Sequence, residues 1–155
     1  MLSETAIILA AARDAPIIAA MSREYIEQGL GWRWTTQRVL AAIRDPERNV
    51  AVIRGGGTVI AFGIMSYAED YAHLELLAVL PTKRRQGLAS AIVVWLERAA
   101  RVAGIERIFV ECRRNNEAAR NFYHEHCYHE RQLDKGMYRG IEDGIRLQKW
   151  LRTPD

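Results

Sequence analysis

Three cations, Lys83, Arg84 and Arg85, stand just ahead of Gly87, where a helical pattern begins. A helix N-terminus already carries about half a positive charge and several unpaired N–H groups, so cations placed there repel it. The arrangement becomes favourable when an anion, typically a phosphate, occupies the spot, and Gly87 has no Cβ to hold that anion off the backbone. A solvated basic turn is the plainer reading of an isolated basic tripeptide, but the strand before it and the long apolar helix after it favour the anion site. Other groups able to do chemistry are His73 and Glu75, on one apolar strand in a face shared with Leu77, and Glu111 on another. A buried histidine or glutamate of this kind is either functional or satisfied structurally. His124, His126, Cys127 and His129 have the residue types of a metal site, but 124 and 126 point to different helix faces and an i, i+4 histidine pair is lacking. No metal is expected.

The elements that must position these groups follow from periodicity. Leu74 to Leu80 is apolar apart from Glu75 and reads as a strand covered on both faces, ended by Pro81. From Leu88, the residues Ile92, Trp95, Leu96, Ala99, Val102 and Ala103 recur at three- and four-residue steps, predicting a helix closed by Gly104. Glu97 and Arg101 are expected as a pair on its opposite, exposed face. Earlier in the chain, Thr5 to Leu9 reads as a strand, and Asp14 as the cap of a helix running to about Gln28, where Gly29-Leu30-Gly31 breaks it. Thr35 or Thr36 caps a second helix ending at Arg44. Trp32 and Trp34, between these helices, either line an acceptor pocket or cover the core.

Val50–Arg54 and Thr58–Tyr67 are strands joined by Gly55-Gly56-Gly57, which reads as a hairpin turn because no helix follows it. Arg107–Cys112 is a strand with Ile108, Val110 and Cys112 on one side and Phe109 and Glu111 on the other. Asn115 or Asn116 caps a helix carrying Phe122 and Tyr123, and Tyr128–Leu133 and Gly144–Leu151 close the chain as strands. The predicted order is β-α-α-β-β-β-α-β-α-β-β, an α/β (α+β) mixed sheet in a single domain spanning residues 1–155.

Val79, Pro81, Arg84, Gly87 and Ala89 resemble the acetyl-CoA signature of the GNAT acetyltransferases, R/Q-x-x-G-x-G/A after a strand ending in valine and proline. The resemblance covers nearly the whole chain. It implies the GNAT acyl-CoA N-acyltransferase fold with acetyl-CoA as co-substrate. The amides of Arg85, Gln86, Gly87, Leu88 and Ala89 would hold the pyrophosphate, and the main chain of Leu77 and Val79 would pair with the pantetheine arm. The stretch Glu111 to Tyr123 is similar to the E-x-R-x-x-N motif of the ribosomal-protein alanine acetyltransferases, with a tyrosine seven residues after the asparagine. Glu111, Arg113, Asn116 and Tyr123 fill these positions, and Glu142-Asp143-Gly144 resembles their E-D-A. This implies Glu111 as general base and Tyr123 as general acid, with Asn116 among the cofactor-binding residues. Glu75 and then His73 are the alternative bases, since other GNAT branches place a base on that strand. Cys127-Tyr128 replaces the usual Gly-Phe and the connection around Gly140 is short, which leaves the acceptor open: a protein N-terminus first, or a small amine, polyamine or amino sugar.

The chain's 155 residues suit one domain, and its net charge of +3 fits an anionic cofactor without arguing for nucleic acid. Two cysteines in no metal spacing point to free thiols in a reducing compartment. Apolar runs fall short of a membrane span, and Ala6 to Met21 is interrupted by Arg13, Asp14 and Pro16 without a basic n-region before it. A cytoplasmic monomer or homodimer is expected, with no membrane partner. The competing class is a non-catalytic module, sensing CoA or binding RNA through Lys83–Arg85 and Arg113–Arg114. RNA binding would need a broader basic face, whereas a glutamate and a tyrosine at both catalytic positions favour the enzyme.

Overall fold

The computed structural model describes residues 6–152. The chain forms β1 (Ile8–Leu9), α1 (Ala15–Met21), α2 (Thr36–Arg44), β2 (Arg48–Gly55), β3 (Thr58–Tyr67), β4 (Tyr71–Val79), α3 (Leu88–Val102), β5 (Arg107–Arg113), α4 (Glu117–Glu125), β6 (His129–Tyr138) and β7 (Glu142–Trp150). This is the order expected from periodicity. The strands make one mixed sheet ordered β1-β2-β3-β4-β5-β7-β6. Only β4 and β5 pair in parallel, joined by the crossover through α3. Thr5, the expected start of β1, lies outside the described residues. No described helix is long and apolar enough to cross a membrane.

Two cores sandwich the sheet. One gathers Leu74, Ile92, Leu96, Val110, Tyr123 and Leu147 under α3 and α4. The other gathers Ile18, Val39, Val52, Phe62, Ile64 and Leu76 under α1 and α2. Gly63 is where α3 lies directly on the sheet, since a Cβ there would meet Ile92 Cγ2 at 2.8 Å. The second core contains no residue of β5, β6 or β7, so that face of these three strands stays open.

Several local expectations change. The buried stripe of α3 is Leu88, Ile92, Val93, Leu96, Glu97 and Ala100, while Val102 is 91% exposed. The helix is rotated from the expected face because Glu97 has partners beneath it: it accepts from the Tyr128 hydroxyl at 2.8 Å and pairs with Lys149 at 3.0 Å. Both helix stops are Schellman motifs. Gly104 and Ile105 donate to Arg101 and Ala100 after α3, and Cys127 and Tyr128 donate to His124 and Tyr123 after α4. Gly104 fills the left-handed position as expected, whereas Cys127 adopts φ 66°, which explains why a glycine is the commoner residue there.

Asp14 precedes α1 without capping it. Its carboxylate instead accepts from the Ala11 amide at 2.7 Å and pairs with Arg54 at 2.5 Å. The first helix finishes in a π turn over Ser22–Ile26, with Glu27 N–H bonded to the Ser22 carbonyl. Thr35 caps α2 and Asn116 caps α4. Gly56 and Gly57, both at positive φ, make the β2–β3 turn. Strand β6 runs five residues beyond the expected Leu133, to Tyr138, because β7 pairs with it across two register shifts.

Candidate active site

The site is built on a break in the middle of the sheet. Strands β4 and β5 pair from Tyr71–Arg107 to Leu74–Val110 and then part, although β4 continues to Val79 and β5 to Arg113. The parting begins at a β-bulge. Leu74 lies opposite Met65 and Leu76 opposite Ile64, leaving Glu75 as the extra residue. The bulge inverts side-chain parity, so Leu74 enters the core under α3 and Leu76 the core under α1. His73 and Glu75 therefore do not share a face with Leu77, which points to α3 beside Gly63. Sequence alternation could not show this, because it assumes an unbroken period of two.

Past the bulge, the Leu80 amide bonds to Ile60 of β3. By alternation, Ala78 and Leu76 also turn their backbone groups to β3, while those of Leu77 and Val79 face the gap. Apart from the Val79 carbonyl, which Arg84 reaches, these are edge positions on which an extended arm can lie as an added strand. At the end of the gap, Lys83 to Gly87 form an exposed loop into α3. Arg85 and Gly87 both take left-handed backbone, at φ 64° and 75°. A Cβ on Gly87 would meet nothing within 4 Å, so the space over the helix entrance is open and Gly87 keeps it so. Holding non-glycine Arg85 left-handed costs about 1 kcal/mol, a strain of the kind that folds retain at ligand-binding turns. These features fit a phosphate cradle. The Arg84 guanidinium lies 3.4 Å from the Val79 carbonyl, tying the loop back to β4.

On the open face, Glu111 stands at the mouth of the gap with both carboxylate oxygens engaged. Oε2 meets His73 Nε2 at 2.5 Å, and Oε1 accepts from Arg146 Nη1 at 3.0 Å. Burial works against a proton on His73, but the bond to Glu111 and the charges of Glu111 and Glu75 outweigh it and raise the imidazole's proton affinity. Glu75, the second candidate base, is instead paired with Arg48 at 2.8 Å. Tyr123 approaches from the other side of the sheet, its ring in the core against Phe122 and Tyr128. Burial above all, then nearby charges at Cys112, Tyr138 and Glu111, pushes its phenol well above the ordinary value. A phenol so placed stays protonated at neutral pH. Leu88 and Ala89 form the first turn of α3. Asn116 spends its Oδ1 on the Ala119 amide at 3.1 Å.

Sequence reasoning left Arg146 and Tyr138 unassigned, and placed Arg113 and Glu142 in motifs without their contacts. Arg146 lies opposite Glu111 in the β5–β7 register, a pairing unavailable before the fold is known. Arg113 joins the two walls of the site: it bonds the Ile26 and Gln28 carbonyls at 3.0 and 2.6 Å and pairs with Glu142 at 3.0 Å. Tyr138 of β6 has its phenol pushed up to about 12, by burial first and then by Cys112 and Glu111. Of the two tryptophans, Trp34 is buried under α2, while Trp32 is half-exposed and donates to the Ala19 carbonyl at 3.2 Å. The histidines at the end of α4 serve other partners, exposed His124 pairing with Glu130 and half-buried His126 with Ser90. No group of three metal-ligand types occurs among the described residues.

Comparison with known proteins agrees with this geometry. The chain is similar to Ard1 from Thermoplasma volcanium, with a TM-score of 0.83, 18% identity and coverage of 96% of this chain and 98% of that one. The ribosomal-protein-S18-alanine N-acetyltransferase of Escherichia coli gives a TM-score of 0.81, 22% identity, and coverage of 97% and 96%. GCN5-related N-acetyltransferase 6, chloroplastic, of Arabidopsis thaliana is 25% identical over 80 residues, which are 52% of this chain but 27% of that protein. The family description "Acetyltransferase (GNAT) family" matches residues 15–127. With the parted strands, the bulge and the open helix entrance in place, this chain belongs to the GNAT acetyltransferase family.

Proposed function

We propose that the protein transfers an acetyl group from acetyl-CoA to a primary amine, with protein N-termini ahead of small amines, as in the branch its Glu111–Tyr123 stretch resembles. The observation that supports this reading is the gap where β4 and β5 part, with the His73–Glu111 pair at its mouth. The thioester supplies the activated acetyl group; the chain's residues position it and move protons. Backbone groups of Leu77 and Val79 would hold the pantetheine arm, and the amides from Arg85 to Ala89 the pyrophosphate, with Arg84 and Asn116 beside them.

As the amine forms its bond to the acetyl carbon, it must lose a proton. Because both Glu111 oxygens are engaged, the pair acts as a unit: His73 takes the proton and the Glu111 carboxylate stabilises the imidazolium. The bond from carbon to sulfur breaks as Tyr123 donates its proton to the leaving thiolate. Glu75, the extra residue of the bulge, is paired with Arg48 and is not assigned the base's role.

The test is turnover with acetyl-CoA against a panel of free-N-terminus peptides, polyamines and amino sugars, followed by release of free thiol. Peptide acetylation is the expected result. Reaction with only a polyamine or amino sugar overturns the peptide assignment, and saturable acetyl-CoA binding without any turnover overturns the enzyme.

A further inference from the structure

We propose that Arg146 is a positioning residue for this reaction, holding the Glu111 carboxylate toward His73 while offsetting its charge, and that Asp134 in turn holds Arg146. The inference rests on the acetyl-transfer reading above, and adds to it a residue pair that no motif marks. Arg146 leaves β7 on the open face and bonds Glu111 Oε1 at 3.0 Å through Nη1. Its Nε is paired with Asp134 of β6. One guanidinium therefore spans three adjacent strands, and its planar fork fixes where the carboxylate can point. With Oε1 committed to Arg146, Oε2 is left for His73 Nε2.

The surrounding charges leave this arginine in control. Glu75, on the same strand as His73, pairs with Arg48 of β2, which it shares with Asp45, and Arg113 of β5 pairs with Glu142. Tyr138 of β6 and Tyr123 of α4 both stay protonated at neutral pH. What acts on the imidazole is the attraction of Glu111 and, behind it, Glu75, against the opposition of Arg146, which Asp134 moderates. Arg146 is 44% exposed at its side chain, so solvent screens it and its influence is modest.

The sign follows. Removing the cation favours the imidazolium, so His73 holds its proton to higher pH and the acid limb of kcat/KM moves up. Removing Asp134 leaves the cation uncompensated and moves it down.

The experiment titrates His73 by NMR in the full chain, the resonance being assigned through His73→Gln, alongside pH profiles of kcat/KM and thermal melts. In Arg146→Gln the His73 midpoint should rise by about half a pH unit or more, with the acid limb following and KM for acetyl-CoA unchanged. Arg146→Lys, which keeps the charge, should return the midpoint close to that of the wild type. Asp134→Asn should lower it, which keeps the test open if Arg146→Gln does not fold. A folded Arg146→Gln with an unmoved midpoint, or a melting loss alone, overturns the proposal. If the wild type shows no acetyl transfer, the catalytic reading fails, whereas the titration still decides whether Arg146 controls the pair.

Discussion

Glu111 leaves β5 on the face opposite the core that holds Tyr123, so carboxylate and phenol lie on opposite sides of the sheet. An acid and a base so separated cannot simply exchange a proton with each other, and each can serve a different atom of a substrate lying in the gap.

Tyr123→Phe removes only a hydroxyl, and no hydrogen bond contributes to the perturbation of that phenol. The substitution should lower kcat by about a hundredfold, with acetyl-CoA binding and melting temperature nearly unchanged. Steady-state kinetics beside a thermal melt check it. Intact turnover per folded molecule would remove Tyr123 from the mechanism.

Gly87 sits at φ 75° with open space where a Cβ would stand. Gly87→Asn, a residue that tolerates left-handed backbone, should cost the free protein less than 1 kcal/mol. It should still weaken acetyl-CoA binding strongly, and Gly87→Val should abolish binding. Calorimetric titration at two salt concentrations reads both effects, since phosphate–cation contacts weaken with salt. Affinity equal to that of the wild type in Gly87→Val would refute the cradle.

The buried Glu97 carboxylate holds Tyr128 and Lys149 together beneath α3. Glu97→Leu leaves the ammonium of Lys149, 17% exposed at its side chain, without its counter-charge. The expected loss is about 3 kcal/mol, and Glu97→Leu combined with Lys149→Met should recover much of it. Denaturant unfolding of the single and double variants measures the difference.

Cys127 occupies a left-handed helix stop that suits glycine. Cys127→Gly should raise stability by about 1 kcal/mol, read as an upward shift of the unfolding midpoint, and an unchanged midpoint would mean that the strain is relieved elsewhere.

Burial opposes ionisation of Asp14, but the bond from Arg54, the Ala11 amide and the charges of Arg54 and Arg13 together hold its carboxyl below the usual range. A depressed folded value stabilises the fold above the unfolded carboxylate pKa near 4, and that contribution is lost as pH falls through the folded value. Asp14→Asn should therefore cost about 2 kcal/mol at neutral pH and flatten the acid limb of a stability–pH curve. A parallel, merely lowered curve would contradict the assignment.

The sequence by itself determined the order of elements and the stops between them, because these depend on local patterning: Pro81 ending β4, Gly87 opening α3, Gly104 closing it, Asn116 capping α4. It also marked the helix entrance, since three cations beside unpaired amides are unfavourable without an anion. Tertiary structure decided what depends on residues distant in the chain. Glu97 went inside because Lys149 and Tyr128, 52 and 31 positions away, meet it there. His73 met Glu111 through the β4–β5 pairing, Arg146 met both Glu111 and Asp134 because β7 inserted between β5 and β6, and the bulge at Glu75 turned Leu77 away from the face of His73. A period of two predicts a face only as long as the ladder is regular, and strand order is fixed by the packing of the whole chain. Strand order chose which of the candidate bases stand together.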